Sequence, residues 1–368
     1  MRKHIVNNRD QELLLSVLEN EEWSDGPYCR LFEKQIAHYI GTKYAIIMPN
    51  CTYSFKLVLR CLGIKDGDEV IVPAITWPSM IVAIMECNAI PVIVDVDACF
   101  QMILDNLSKK ISNKTKVILA THLYGFYENI EEIKKIIGNE KIYIVEDCAH
   151  VVGYKLNGRM LGSLGDVAVT SFNSKKILTC GEGGCIFTNN DEIYHSLCEM
   201  RAVEERESKY GFLPSNYLVS EFQAAILISQ LEKYNELLKI EYERAMYISQ
   251  VLNKSNRISV YENSDKVEMQ TFYNYVFAVD NEAREVVDEV NSKCGNVLSL
   301  IYPPLIQSAV FGRIEEKYKN LLRNWDEKEI SSANNLYQHC CRFHHSLLLM
   351  GNDDLDRILE TIIDIMGE

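Results

Sequence analysis

Short runs of β-branched and other apolar residues alternate with helical stretches from about residue 44 onwards. This alternation predicts strands separated by helices, and therefore a largely parallel sheet covered on both faces. The predicted strands lie in KYAIIMP, DEVIVPAI, IPVIVDVD, KVILATHLYG, IYIVEDCA, VAVTSFN and GCIFTNN. We therefore predict an α/β fold with a seven-stranded, mostly parallel sheet in its large domain.

A second region follows a long helical pattern, SEFQAAILISQLEKYNELLKIEYERAMYISQVLNK, which is typical of one long helix or two in succession. Strands with turn signals between them are then expected, followed by a helical C-terminus, in RISVYEN, QTFYNYVFAVD and NVLSLIYPPL. We place the large domain at residues 16–240 and a smaller C-terminal α/β domain at 241–368. Residues 1–15 are expected to pack on the smaller domain.

Composition and charge narrow the classes of function. The chain has 368 residues and a formal net charge of -14, which disfavours binding to nucleic acid or to anionic membranes. We find no secretory signal at the N-terminus and no apolar run long enough to span a bilayer, so a cytoplasmic location is expected. The 12 cysteines are scattered, mostly within apolar runs, and no metal site is predicted from them.

Two lysines mark the strongest chemical signal, in SFNSKKILTCGEGG at residues 171–184. They lie just after a predicted strand and before a glycine-rich turn, at the sheet edge where open α/β folds bind ligands. A lysine amine there can form a Schiff base with the aldehyde of a cofactor. The alternative is that Lys175 and Lys176 are solvated loop charges.

Other strand ends carry residues that suit the same cofactor. Asp147 ends a strand near the centre of the sheet, where it can pair with a protonated pyridine nitrogen or cap a helix. Thr52, at the start of a helix, and Ser171 can bind a phosphate, although such residues also cap helices. Trp77 can stack on a flat ring or simply fill the core.

Taken together, these motifs resemble those of the DegT/DnrJ/EryC1/StrS aminotransferases, a family of sugar aminotransferases with the aspartate aminotransferase fold type. The resemblance covers most of the chain and is closest to the glutamine-dependent keto-inositol aminotransferases. It rests on motifs that follow in the family's order: GPYCRLFEKQIAHYIGTKYAI, GDEVIVPAITW, IPVIVDVD, HLYG, VEDCAH, GSLGDVAVTSF, GEGG and SNYLVSEFQAAIL.

The resemblance implies pyridoxal 5'-phosphate (PLP) as the cofactor and assigns roles around its ring. The Schiff-base lysine of the family stands five residues before GEGG, which is Lys176 here. Asp147 is implied to contact the pyridine nitrogen and His150 to lie near the phenolic oxygen. Trp77 is implied to stack on the ring.

The phosphate site is implied in the same way. Thr52 and Ser171 are expected to bind the phosphate, together with the amide of Cys51, which stands where the family usually has glycine. Asn216 matches an asparagine that reaches the phosphate from the partner subunit. The resemblance therefore implies a homodimer with shared active sites.

The expected activity is transfer of an amino group from glutamine or glutamate to a polyhydroxylated ketone, in surface-polysaccharide or secondary-metabolite biosynthesis. Keto-sugars, keto-inositols and small phosphorylated ketoses such as dihydroxyacetone phosphate are the acceptor classes considered. One alternative is a sugar dehydratase of the same family, in which histidine replaces the lysine. Another is a non-catalytic binding module, which would be expected to lose the lysine or the aspartate.

Overall fold

The predicted large sheet is present in a computed structural model of the chain, which describes residues 6–20, 22–203, 209, 211–261 and 267–367. Seven strands form it, in the order β1-β9-β8-β5-β4-β2-β3. Strand β9 is antiparallel to both of its neighbours, whereas the other pairings are parallel. The first nine strands of the described chain are β1 (Tyr44–Met48), β2 (Glu69–Pro73), β3 (Ile90–Val94), β4 (Thr115–Thr121), β5 (Tyr143–Asp147), β6 (Lys155–Leu156), β7 (Arg159–Met160), β8 (Val167–Ser171) and β9 (Gly184–Thr188).

Helices cover both faces of this sheet, as the buried apolar strands require. Successive residues of one strand enter different cores: Ile46 packs in one apolar cluster and Ile47 in another, on opposite faces. The helices of this part are α1 (Asn8–Glu19), α2 (Pro27–Ile40), α3 (Cys51–Cys61), α4 (Ser79–Glu86), α5 (Leu104–Lys110), α6 (Ile130–Ile137), α7 (Asp191–Arg201), α8 (Glu221–Glu232) and α9 (Tyr234–Leu252).

Helix α1 corrects one expectation. It packs on α8, because Leu13 and Val17 are buried in an apolar cluster of the large domain. Asp10 strengthens this contact by accepting hydrogen bonds from Gln230 and Lys233, at 3.1 and 2.9 Å. Residues 8–15 therefore lie against the large domain, whereas residues 1–5 of the predicted segment lie outside the described residues.

The long helical pattern forms two helices, α8 and α9, which meet at Lys233. The predicted domain boundary after residue 240 falls within α9, and its position remains a prediction. Beyond α9, the remaining helices are α10 (Ala283–Cys294), α11 (Glu316–Lys319), α12 (Ser331–His339) and α13 (Asn352–Met366). Short 3-10 turns connect several of them.

The C-terminal region is built on a four-stranded antiparallel sheet, in the order β10-β12-β14-β13. The strands of this region are β10 (Ile258–Val260), β11 (Val267–Met269), β12 (Asn274–Val279), β13 (Leu298–Leu300) and β14 (Cys340–His344). Helices α12 and α13 agree with the expected helical C-terminus, but β14, which lies between β12 and β13 in the sheet, was not expected. It forms because its neighbours offer two antiparallel edges, and three of its five residues are buried.

A third, small sheet connects the two regions, in the order β11-β6-β7. Strand β11 precedes β12 in the chain but pairs with β6 of the large domain. Next to this pairing, the backbone of Gly125 lies so close to Thr271 that an added Cβ would be 2.2 Å from the Thr271 carbonyl oxygen. The start of the small domain is therefore held directly against the loop that follows β4.

Among the described residues, no helix has both the length and the apolar character needed to cross a membrane.

Candidate active site

A cleft of about 790 Å³ lies at the carboxyl ends of the large sheet and is closed on its other side by the four-stranded sheet. Seven of the eight site residues predicted from the sequence line it; they are Cys51, Thr52, Trp77, Asp147, His150, Ser171 and Lys176. The eighth, Asn216, does not line it.

The loop between β8 and β9 carries Lys176 into this cleft. The loop is closed by hydrogen bonds at its base, including Ser174 N to Gly181 O at 2.6 Å, and Gly181 has φ +93°. The Lys176 amide donates to the Asn173 carbonyl at 2.8 Å. Lys176 is half-buried and its Nζ lies 4.1 Å from the ring centre of Tyr273, whereas Lys175 is exposed. The two lysines therefore have different environments.

Asp147 ends β5 and is 4% exposed. Its Oδ1 accepts a hydrogen bond from the amide of Ala149 at 3.0 Å, and its Oδ2 accepts none from the described residues. Burial raises the pKa of Asp147, while this hydrogen bond and the charge of Lys176 lower it. A buried carboxylate with one open oxygen suits a cationic partner in the cleft.

A buried hydrogen-bonded pair supports β5 from the position before Asp147. Glu146 Oε2 lies 3.0 Å from His122 Nε2, and both side chains are fully buried. Glu146 also accepts hydrogen bonds from three backbone amides; the donors are Gly162, Leu164 and Gly165. These interactions with His122 and the amides lower the pKa of Glu146 against the effect of burial.

The same pair lies within 4.8 Å of Cys148, a spacing that could hold a metal ion. The carboxylate oxygens of Glu146 are already used by His122 and by backbone amides, and His122 Nδ1 accepts a hydrogen bond from the amide of Glu128 at 2.9 Å. Burial also raises the pKa of Cys148 well above its ordinary value, which disfavours the thiolate that binds metals. His122 and Glu146 therefore support β5 through hydrogen bonds and do not form a metal site.

His150 lies on the floor of the cleft in its neutral form. Burial, together with the charges of Lys176 and Arg342, holds the pKa of His150 well below its ordinary value. Its Nδ1 accepts a hydrogen bond from the amide of Tyr124 at 3.2 Å, so the proton resides on Nε2. Its ring stacks on Tyr273 with centres 3.9 Å apart. His150 therefore offers one N–H donor on a fixed ring.

The start of α3 supplies backbone donors. Asn50 caps the helix by accepting a hydrogen bond from the amide of Tyr53 at 2.8 Å. The amides of Cys51 and Thr52 lie in the first turn, where no helix carbonyl is available to them. They are suited to an anion, which the helix dipole also favours.

Gly184 has no side chain, and the backbone of β9 therefore lies close to the backbone of Asn50 and Cys51. An added Cβ at Gly184 would lie 2.7 Å from the amide nitrogen of Cys51 and 2.5 Å from the carbonyl carbon of Asn50. Gly184 pairs with Ser171 in the sheet, so this contact brings Ser171 next to the first turn of α3. Cys51, which stands where the family usually has glycine, has a buried side chain.

The wall opposite the large sheet was missed by the sequence analysis. It is formed by side chains of the four-stranded sheet and its connections, and its members include Tyr273, Ser299, Tyr302, Arg342 and His344. The aromatic content of QTFYNYVF was the available signal for Tyr273. Trp77 is 53% exposed and lies near this wall, with its ring centre 5.2 Å from that of Tyr302.

Asn216 is exposed and lies outside the cleft lining. Its neighbours hold the segment near α3: Ser215 N donates to the Met200 carbonyl at 2.9 Å, and the Tyr217 ring centre lies 5.2 Å from that of Tyr53. The predicted contact of Asn216 with a partner subunit's cofactor remains a prediction.

Comparison with known proteins agrees with this geometry. The model of the DegT/DnrJ/EryC1/StrS aminotransferase family matches residues 4–363. The chain belongs to this family. The family prediction is confirmed, and this member of the family is a PLP-dependent aminotransferase.

Two relatives illustrate the range of the similarity. The family member described here is 27% identical to an L-glutamine:2-deoxy-scyllo-inosose aminotransferase of Streptoalloteichus tenebrarius, over 96% of this chain and 91% of the relative. It is 30% identical to a GDP-perosamine synthase of Escherichia coli O157:H7, over 80% of this chain and 81% of that protein.

The fold is confirmed by solved structures. The aminotransferase superposes on the PLP form of a Streptococcus pneumoniae protein assigned as a sugar aminotransferase, with a TM-score of 0.86 and 23% identity. The superposition covers 98% of this chain and 96% of the other. The predicted α/β fold class is therefore correct.

Proposed function

We propose that the enzyme transfers an amino group from glutamine or glutamate to a polyhydroxylated ketone. The observation that carries this proposal is the meeting of Lys176 and Asp147 in one cleft, since a nucleophilic amine and a buried carboxylate are what a PLP-dependent aminotransferase requires. The names of the two relatives, which refer to an inosose and to a GDP-linked amino sugar, support an acceptor of this class.

The described residues fit the cofactor. The open Oδ2 of Asp147 suits the protonated ring nitrogen, and the Nε2–H of His150 suits the phenolic oxygen. The amides of Cys51 and Thr52, with the hydroxyls of Thr52 and Ser171, would bind the phosphate. The exposed ring of Trp77 would cover the cofactor ring by stacking.

When bound, the cofactor supplies a ring that accepts electrons from the substrate carbon. The protein's own residues perform the remaining tasks. We assign to the Lys176 amine the covalent attachment of the cofactor and the movement of the proton at the substrate carbon. Asp147 holds the positive charge on the ring nitrogen, and the buried environment strengthens that interaction.

The aromatic ring of Tyr273 lies next to the Lys176 amine. Its ring lies 4.1 Å from Lys176 Nζ, a distance at which the π face stabilises the ammonium form. The same ring stacks on His150. Tyr273 therefore keeps the amine and the imidazole in a fixed relation when the lysine is not covalently attached.

Uncharged polar side chains of the cleft support a hydroxyl-rich acceptor. Hydroxyl and amide groups donate and accept hydrogen bonds, and can therefore bind a polyol without a formal charge. Those in the lining, apart from the residues assigned to the cofactor, include Thr76, Ser79, Asn173 and Ser299.

The direct test is absorption spectroscopy of the purified protein with PLP. Addition of glutamine or glutamate is expected to remove the visible band of the bound cofactor, and one ketone of a panel of keto-sugars, keto-inositols and phosphorylated ketoses is expected to restore it. Absence of the initial band would show that Lys176 does not hold the cofactor.

Substitution of Lys176 gives the largest expected effect on turnover. Lys176→Ala removes both the nucleophile and the proton carrier, so turnover is expected to fall by at least about 10³-fold. Lys175→Ala is the matched control, because Lys175 is adjacent but exposed, and it is expected to stay close to wild type. Unfolding curves of both variants should match the wild type; normal turnover in Lys176→Ala would refute the assignment.

We further propose a homodimer in which Asn216 of each subunit reaches the other subunit's phosphate site. The exposed position of Asn216, outside the cleft of its own chain, supports this arrangement. Mixing Lys176→Ala with Asn216→Ala, after dissociation and reassociation, should restore up to about a quarter of the activity through mixed dimers with one intact site. No recovery, with mixed dimers demonstrated by mass spectrometry, would contradict site sharing.

A further inference from the structure

Arg342 is a cleft residue to which the proposed function gives no role. It lies on β14, in the wall opposite the large sheet. Its Nε donates to the Leu300 carbonyl at 2.8 Å, and its Nη1 donates to Asn274 Oδ1 at 2.7 Å. Its guanidinium carbon lies 5.0 Å from the ring centre of Tyr302. Three neighbours thus fix the plane and direction of the group.

No carboxylate of the described residues lies within 4.0 Å of a guanidinium nitrogen of Arg342. Both of its hydrogen-bond acceptors among the described residues are neutral oxygens. In a chain with a formal net charge of -14, a half-buried arginine held without a counter-charge is a place where an anion would be stabilised.

The remaining donors of Arg342 lie on its two terminal nitrogens. Nε has a single N–H, which Leu300 accepts, and Nη1 has two, of which Asn274 accepts one. One N–H of Nη1 and both of Nη2 are left without acceptors among the described residues. A guanidinium group can offer one N–H from each terminal nitrogen to the two oxygens of a carboxylate.

The position also relates Arg342 to the reacting group. Tyr302 lies against Arg342 on one side and has its ring centre 6.2 Å from that of His150, which in turn stacks on Tyr273 beside Lys176. Arg342 and Lys176 therefore line the same cleft, and these three aromatic rings lie between them. An α-amino acid has its carboxylate one carbon from its amine, so it needs a cation near the nucleophile.

We propose that Arg342 binds the carboxylate of the amino donor through its Nη1–Nη2 edge. This inference rests on the proposed function, because it assigns the donor half of the reaction. A carboxylate is favoured over a phosphate on the acceptor because every α-amino-acid donor carries a carboxylate, whereas only some of the acceptors considered carry a phosphate. Arg342 thereby becomes a residue that selects amino acids as donors.

The test compares Arg342→Gln and Arg342→Lys with the wild type. The first readout is calorimetric binding of glutarate, a dicarboxylate without an amine, to the protein loaded with PLP. The second is the concentration dependence of the donor half-reaction with glutamine and with glutamate. Arg342→Gln is expected to weaken glutarate and donor binding by about 10- to 100-fold, as expected for loss of hydrogen bonds to a charged group. Arg342→Lys should be intermediate, since it keeps the charge but loses the pair of terminal nitrogens.

Arg357→Gln is the matched control, because Arg357 lies on α13 with its side chain 65% exposed and does not line the cleft. It should bind glutarate as the wild type does. Circular dichroism of all variants separates loss of binding from loss of fold, and Arg342→Lys keeps the test valid if Arg342→Gln is unstable.

Several outcomes would overturn the inference. These are wild-type affinity for glutarate in a folded Arg342→Gln variant, failure of the wild type to bind glutarate, and a change confined to the Michaelis constant of a phosphorylated acceptor. The last would assign Arg342 to a phosphate. Failure of the proposed function would look different: neither donor would change the wild-type spectrum, while glutarate binding would still report on Arg342.

Discussion

The two walls of the cleft hold their side chains in different ways. On the large-sheet side, the ends of the strands fix the carboxylates with main-chain N–H groups: Ala149 donates to Asp147, and three amides donate to Glu146. On the small-sheet side, Tyr273 and Arg342 are held by ring contacts, a carbonyl and an amide side chain.

This difference separates chemistry that is common to PLP enzymes from recognition of a particular substrate. Backbone donors do not change when side chains are substituted, so the large-sheet wall keeps its geometry across changes of sequence. Side chains that are held by other side chains can be exchanged together. We therefore expect substitutions on the first wall to affect folding most, and substitutions on the second to affect substrate use most.

Glu146→Gln should give the largest effect in this comparison. The glutamine has one oxygen where the carboxylate has two, and its NH2 group would face backbone donors, leaving buried groups unpaired. Each buried hydrogen-bonding group that is left unpaired costs about 1–3 kcal/mol of unfolding free energy. Urea unfolding followed by circular dichroism measures the loss.

Glu268→Gln serves as its control. Glu268 also accepts a backbone hydrogen bond and pairs with a lysine, but it is exposed. Its unfolding curve is expected to coincide with that of the wild type. Equal midpoints for Glu146→Gln and the wild type would show that the large-sheet wall is not held as described.

Titration of the buried Glu128 should make the unfolding free energy depend on pH. Glu128 is 1% exposed and accepts the Met102 amide hydrogen bond, and burial raises the pKa of Glu128 from 4.5 to about 8. The folded state then keeps a proton that the unfolded state releases. The contribution of this proton to stability is fully present below about pH 4.5 and is lost as pH rises to about 8, by at most about 1.4 kcal/mol per pH unit.

The glutamine in Glu128→Gln does not titrate. The substitution should therefore remove the part of the pH dependence of unfolding free energy that Glu128 causes. Urea unfolding of both proteins at pH 6, 7 and 8 measures it. Parallel pH profiles for the variant and the wild type would mean that Glu128 does not carry the proton.

Tyr273→Leu tests the small-sheet wall and should have a moderate effect on turnover. The substitution removes the ring face beside Lys176 and His150, and turnover is expected to fall by about 3- to 30-fold, as loss of a cation–π contact implies. Tyr273→Phe keeps the face and should retain most of the activity. Steady-state rates at fixed PLP measure both; equal losses in the two variants would assign the effect to the hydroxyl instead.

The large-sheet wall could be predicted because two local rules act together. Alternating strands and helices locate the sheet, and the carboxyl ends of parallel strands locate the ligand. Asp147 and Lys176 both follow from these rules, although their roles came from the family resemblance. A reader of the sequence needs no long-range pairing to find them.

The opposite wall could not be predicted in this way. It depends on antiparallel pairing between distant segments, such as Asn274 with His344, which no local pattern specifies. Strand β14 is only five residues long and stands between a helix and a 3-10 turn, so CCRFH resembles the end of a helical segment. Arg342 was overlooked for that reason.

The attachment of β11 to β6 has a mechanical consequence. Thr271 donates to the His150 carbonyl at 3.1 Å, and its own carbonyl packs on Gly125, which lacks a side chain. Tyr273 follows two residues later, so it is anchored to the floor of the cleft rather than carried by a freely swinging domain. We expect the edge of the cleft next to Tyr273 to keep its position relative to the large sheet when substrates enter and leave.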